Sequence, residues 1–282
     1  MKYRNRNRSK ILASSSSRMV LILIITIIYV SPFFWMLSTS LKADHDLFLS
    51  PPKLIPNPLI FQNYKKALEY FPFFRYFKNS LVITFGTILG TLLSCSLVAY
   101  SFSKLRWWGR NFFFYVMIGT VMIPFAVTVI PQFIIFVKLG WINTFLPLII
   151  PSFFGTPLYI FLIRQFFQTI PDELLDAARV DGASEFKIFL QVMLPLCKPV
   201  LFLIALFQFL ASWNNYLGPL IYLTDESKYP LSLGLPQFLD RYGTHWNWMM
   251  AAATTSIVPI IIFFFFAQSY LIEGIKISGL KE

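Results

Sequence analysis

Residues 171–195 read PDELLDAARVDGASEFKIFLQVMLP, a long hydrophilic run with helix punctuation set among strongly apolar segments. Pro171 suits the first helical position, where a missing N–H costs nothing. Asp172 and Glu173 follow in the first turn, where negative charge favours the positive end of the helix dipole. Gly182 stands where a helix can stop in a left-handed conformation. The pattern predicts a short helix over about 171–181. At 100° per residue, Pro171, Leu174, Leu175, Ala178 and Gly182 share one side, while Asp172, Glu173, Asp176 and Arg179 share the other. Val180 lies among the charges, and an apolar residue there is a candidate contact for a partner protein. The same pattern also fits a solvated surface helix.

Outward from this stretch the chain is apolar. Of its 282 residues 56% are hydrophobic and only 13% charged, and the mean hydropathy of +0.63 fits a chain whose core continues into lipid. Six apolar segments, about 19–37, 79–102, 111–137, 144–163, 199–222 and 249–272, can each cross a bilayer as a helix. The fold class is therefore all-α, a polytopic membrane protein of six transmembrane helices. Lys2, Arg4, Arg6, Arg8, Lys10 and Arg18 precede the first segment, which is longer than a signal-peptide core and lacks an Ala-x-Ala exit. It reads as an uncleaved span with the N-terminus inside. Lys and Arg number 15 on the side of the tail and 9 on the other, which places both termini and residues 171–195 in the cytoplasm. The net charge of +11 does not imply nucleic acid, because the cations are scattered at segment ends.

Between the first two spans, the external stretch 42–78 passes from PPKLIPNP to a segment of aromatics and lysines suited to the membrane surface, with Asn79 as the cap of the second span. Pro124, Pro131, Pro147, Pro151, Pro157, Pro219 and Pro259 interrupt later spans. Each frees a carbonyl that lipid cannot satisfy, so these helices pack on neighbours or line a wet cavity.

Enzyme chemistry is not legible. Cys95 and Cys197 read as small buried hydrophobes, and His45 and His245 stand without ligand spacing, so no metal site or catalytic triad is expected. The six spans carry no Asp, Glu, Lys, Arg or His, which argues against a proton-driven carrier. None of the twelve glycines precedes a lysine, so the chain has no G-x-x-x-x-G-K phosphate loop. Work must come from another protein. Candidates for a solute path are Asn214, Asn215, Trp213 and Tyr216 in SWNNYLGPL, with Gln132 and Gln208. Amides at membrane depth suit either a neutral polar solute, on which the aromatics could stack, or hydrogen bonds between helices.

Asp176-Ala177-Ala178, then Gly182, then Val192-Met193-Leu194-Pro195 resembles the "EAA" loop of binding-protein-dependent ABC importers, with Asp176 for the usual Glu and Val192 for the usual Ile. SLK at 40–42, RYFKNSL at 75–81, the IP pairs at 123–124 and 130–131, RQFF at 164–167, LPLCKP at 194–199, SWNNYL and the closing AQSYLIEGIKISGLKE are similar to the carbohydrate branch, second permease of the maltose/glycerol-phosphate type. The resemblance implies a type I ABC importer permease (MetI-like) core, N-in and C-in. Residues 1–76 would hold the basic tail, first span and external loop, 77–272 the five-helix core with the coupling loop 171–195, and 273–282 a cytoplasmic tail. It implies a non-enzymatic subunit of a bacterial inner-membrane sugar importer. Its partners would be a second permease, two ATPase subunits carrying ATP and Mg, and an external sugar-binding protein contacted by 224–248; the chain itself would hold no cofactor. Glu173, Asp176, Ala177, Ala178, Arg179, Val180, Asp181 and Gly182 would meet the ATPase, with Gly182 and Ala178 permitting close approach.

Overall fold

The computed structural model describes the backbone of residues 2–240 and 243–279, and the side chains of 18–239 and 245–270. The basic side chains of Lys2 to Lys10 and most of the expected tail 273–282 lie outside these. In chain order the helices are α1 Lys2–Ser40, α2 Gln62–Tyr70, α3 Phe73–Lys104, α4 Arg110–Gly119, α5 Phe125–Lys138, α6 Leu146–Ile149 and α7 Pro157–Gln168. There follow α8 Asp172–Val180, α9 Glu185–Ile188, α10 Leu194–Leu196, α11 Lys198–Trp213, α12 Leu217–Tyr222, α13 Leu231–Gly234 and α14 Trp246–Gly279. A two-residue antiparallel ladder pairs Leu239 with Thr244 and Asp240 with Gly243.

Two compact units are present, 1–71 with 238–255 and 72–237 with 256–282. In the first unit the large apolar side chains of α1 are exposed from Met19 onward, as a surface bathed by lipid rather than water would be. Beyond α1 the chain closes on a buried polar knot. Asn63 Nδ2 donates to the carbonyls of Ser40 (2.9 Å) and Lys42 (2.8 Å), and Asn247 Nδ2 donates to Asp44 Oδ1 (2.7 Å). Lys42 is only 1% exposed, with its ammonium 4.2 Å from the centre of the Trp35 ring, whose face compensates part of the lost hydration.

The second unit is a helical bundle around α3. At about 1.5 Å per residue, its 32 residues exceed a hydrocarbon core of about 30 Å, so the helix is long enough to cross it even when tilted. Ile163, Phe167, Met193 and Ile204 pack against Cys95, Ala99 and Tyr100 of α3. Gly90 admits the 3-10 turn Ile150–Phe154, since a Cβ there would overlap Ser152 and the Phe153 ring. Ser94 Oγ donates to the Ser152 carbonyl at 2.9 Å across the same contact.

Among the described residues four helices are long and apolar enough to span a membrane, and six segments qualify if each of two bent pairs is one span. The third expected span breaks at Pro124, and its halves meet at 99°, because Ile123 before the proline is extended. The fifth does not run unbroken over 199–222. Its helix ends at Trp213 and resumes at Leu217, and on its other side 185–196 is helical and joins it at 79°. Pro199 at this joint removes one backbone donor, and 189–193 is a π-helical turn of the kind that bends helices. Asn79 caps nothing: α3 begins six residues earlier, and its amide instead donates to the carbonyls of Ser227 (2.9 Å) and Tyr229 (3.0 Å).

Candidate functional site: a loop clamped to α3 and a polar cavity

The loop is built from local rules. Pro171 is the N-cap of α8, one position before its expected place. At the other end Gly182 has φ +78°, and Ala183 N–H reaches Ala178 O while Gly182 N–H reaches Arg179 O, both at 3.0 Å. This is a complete Schellman stop. A Cβ on Gly182 would meet nothing within 4 Å, so backbone conformation alone demands glycine. Ser184 Oγ then accepts from Lys187 N–H at 3.4 Å and starts α9.

Burial fixes which side faces inward. Leu175 is 1% exposed and packs in the cluster of Tyr100, Phe167 and Ile188, a contribution of about 1.5–3 kcal/mol. Leu174, expected on the same side, is 48% exposed. Polar contacts then tie the loop to the last turn of α3. Tyr100, 4% exposed, donates to Glu185 Oε2 at 2.6 Å. Glu185 Oε1 accepts from Arg179 Nε at 2.8 Å, and Arg179 Nη1 donates to Asp176 Oδ1 at 2.7 Å. One turn beyond Tyr100, Lys104 Nζ donates to Ile170 O (2.7 Å) and Asp172 Oδ1 (2.5 Å). The Arg179 pairs are solvent-screened and worth little alone. The Tyr100–Glu185 bond, from a buried hydroxyl to a charged acceptor, is the strong member.

The carboxylates of Glu185 and then Asp176 raise the Arg179 pKa above its ordinary value, so this cation stays charged. The hydrogen bond from Lys104 lowers the Asp172 pKa below its ordinary 3.8. With the folded value depressed, the contribution is complete above the unfolded pKa and is lost as pH falls through the folded one. Protease cleavage within 171–184 is therefore expected to be flat between about pH 5 and pH 8, and limited proteolysis across that range checks it.

Asp176 and Arg179 thus spend charge on each other and on Glu185. The face left open carries Glu173, Leu174, Ala177, Val180, Asp181 and Phe186, with Val180 88% exposed and Phe186 63%. Ala178 is half-buried against the core. Tyr100, Lys104 and Glu185 escaped the sequence reading. Their one sequence signal is local: Tyr100 and Lys104 stand one helical turn apart at the end of a span, and Glu185 follows a Ser cap.

The second element is a cavity of about 440 Å³ in the same unit, whose lining includes Gln132, Leu148, Asn215, Gly218 and Tyr222 and no charged side chain. The helix break after Trp213 places Asn215 there. Its Oδ1 accepts from Gly218 N–H at 3.0 Å, which leaves the amide nitrogen to donate. Gly218 has no room for a side chain, since a Cβ would stand 2.8 Å from the Asn215 amide. Tyr222 is 4% exposed, and its buried hydroxyl has no hydrogen-bond partner among the described residues, an expensive state. Of the six residues read from sequence, Gln132 and Asn215 meet here. Trp213 does not: it is buried, donates Nε1–H to Ser256 O at 3.1 Å and stacks on Phe209. Asn214 returns its amide to Leu210 O at 2.9 Å, Tyr216 is exposed, and Gln208 does not line the cavity.

A family model described as "Binding-protein-dependent transport system inner membrane component" matches residues 82–277. The chain belongs to this family. The match runs from α3 into α14 and contains both the clamped loop and the cavity. Among relatives of this permease, the arabinooligosaccharides transport system permease protein AraQ of Halalkalibacterium halodurans is 35% identical over 98% of this chain and 99% of its own. The trehalose/maltose transport system permease protein MalG of Thermococcus litoralis is 33% identical over 93% of this chain and 95% of its own. A chain from the crystal structure of a bacterial ABC transporter involved in import of the acidic polysaccharide alginate superposes with a TM-score of 0.80 at 25% identity, covering 91% of this permease and 95% of that chain. The expectation of an ABC importer permease from the carbohydrate branch, a transport protein with several membrane helices, holds.

Proposed function

We propose that this permease is one of two membrane-spanning subunits of an ATP-driven sugar importer of a bacterial inner membrane, with both termini in the cytoplasm. A separate pair of ATPases, which bind ATP and Mg, docks on the open face of α8 at Leu174 and Val180 and on Phe186 of α9. An external binding protein delivers the solute. The observation that carries this is the loop itself: apolar residues exposed on a short helix that is fastened on its other face to the longest buried helix of the bundle. A rod so clamped moves with α3 and, through the bent joint at 197, with α11, whose far end holds Asn215 at the cavity. Displacement of α8 by ATPase closure then reaches the cavity through rigid helices.

The cavity favours a neutral sugar. The amides of Gln132 and Asn215 match sugar hydroxyls, and no charged side chain lines the space to pair with an acidic one. The relatives named for arabinooligosaccharides and for trehalose/maltose agree with this choice.

Val180→Asp tests the docking face. The side chain is 88% exposed, so the fold tolerates the change, whereas a carboxylate forced into an apolar interface loses its hydration. The expected result is normal membrane abundance, loss of the copurifying ATPase, and uptake reduced about tenfold or more. Retained ATPase with uptake at the unmodified level would remove α8 from the coupling role.

A further inference from the structure

The turn between α3 and α4 forms an open, shallow pocket of about 380 Å³, lined by Arg106, Trp107, Gly109, Arg110, Asn111 and Phe112. One candidate membrane segment ends at Lys104 and the next begins at Arg110, so the pocket sits at headgroup depth. It is on the same end of α3 as the clamped loop, because Lys104 holds Asp172.

Its charge is only partly compensated, since the one carboxylate among the described residues that feels Arg106 is Asp172 on the neighbouring loop. Arg106 makes no hydrogen bond or ion pair among the described residues, and Arg110 gives Nη1–H to the Leu105 carbonyl at 3.0 Å rather than to a carboxylate. No Asp or Glu occurs between Glu69 and Asp172, and Asp172 is taken by Lys104. A third guanidinium, that of Arg164, lies over the Phe114 ring and feels the like charge of Arg110. Beside the cations runs an apolar surface: Trp108 is 92% exposed, Phe112 66% and Tyr115 72%. Phe112 and Tyr115 share a face of α4 at i, i+3. Exposed tryptophan next to arginine at the end of a span is the chemistry of the bilayer interface.

We propose that this pocket binds an anionic phospholipid, with Arg106 and Arg110 on the headgroup phosphate and Trp108, Phe112 and Tyr115 against the glycerol and the first acyl carbons. Guanidinium groups suit phosphate because their planar N–H pairs can engage two oxygens together. The adjoining aromatic surface selects a lipid over free phosphate, which has nothing to place there.

The test is native mass spectrometry of the full chain, with its copurifying partners, released from mixed micelles of phosphatidylglycerol and phosphatidylcholine. Retention of phosphatidylglycerol is expected to exceed that of phosphatidylcholine, with the preference falling about tenfold in the double variant Arg106→Gln/Arg110→Gln. Arg106→Lys/Arg110→Lys, which keeps the charge, should retain most of it, and Trp108→Ala should weaken retention of both lipids. Millimolar inorganic phosphate should leave the bound lipid in place. Equal retention of the two lipids, an unchanged preference in the Gln variant, or displacement by inorganic phosphate would each overturn the assignment. The measurement reads neither uptake nor ATPase binding, so it stands or falls apart from the importer reading.

Discussion

Glu185→Ala is expected to release the loop 171–184 from α3, raising amide exchange there by a factor that corresponds to about 1.5–3 kcal/mol. The reason lies in what is left behind. Tyr100 is 4% exposed, and without its acceptor at 2.6 Å a hydroxyl is stranded inside the protein. Arg179 loses one of its two carboxylates in the same step. Asp176→Ala removes the other, a pair spaced i, i+3 on an exposed helix face, and should cost under about 0.5 kcal/mol. Tyr100→Phe takes donor and hydroxyl away together and should fall between the two. In a double-mutant cycle, Tyr100→Phe with Glu185→Ala is expected to be far less than additive. Hydrogen exchange read by mass spectrometry over residues 172–189 checks all four. If Asp176→Ala loosens the loop as much as Glu185→Ala does, the clamp runs through the surface pairs and not through Tyr100.

Gly90→Val should have a larger effect, on the bundle as a whole. A Cβ at Gly90 already overlaps Ser152 and the Phe153 ring, and a branched side chain must push the turn 150–154 away from α3. Overpacking of this kind costs about 1–3 kcal/mol or more, and it also opens the bond from Ser94 to the Ser152 carbonyl. Gly86→Ala meets one side chain, Ile149, at 3.0–3.2 Å, which must give by a few tenths of an ångström, so a loss smaller than that of Gly90→Val is expected. Gly119→Ala is the opposite case: it ends α4 with φ −57°, nothing lies within 4 Å of the added methyl, and a gain of up to about 1 kcal/mol should follow. Thermal unfolding in detergent should rank the four proteins Gly119→Ala, unmodified, Gly86→Ala, Gly90→Val, from most to least stable. A Gly90→Val protein as stable as the unmodified one would mean that α3 and the turn 150–154 are not in the contact described.

The sequence was sufficient where the deciding interactions are local or counted along the chain. Helix α8 and its stop at Gly182 depend on hydrogen bonds reaching at most five residues, so punctuation gives them almost to the residue. Length and hydropathy give the apolar segments for a similar reason, because the energy of placing a residue in lipid is close to additive along a helix. Only tertiary structure decided where those segments break. An apolar run with prolines looks the same whether its backbone continues or bends: Pro124 marks a bend, while Pro131 and Pro259 lie inside unbroken helices. The division of SWNNYL followed from one such break, with Trp213 turned into the core and Asn215 onto the cavity. Asn79 was misread for the same cause, its carbonyl partners lying about 150 residues away. The clamp was equally out of reach of the sequence, since Tyr100 and Glu185 are 85 positions apart and only packing of the loop against α3 brings hydroxyl and carboxylate together.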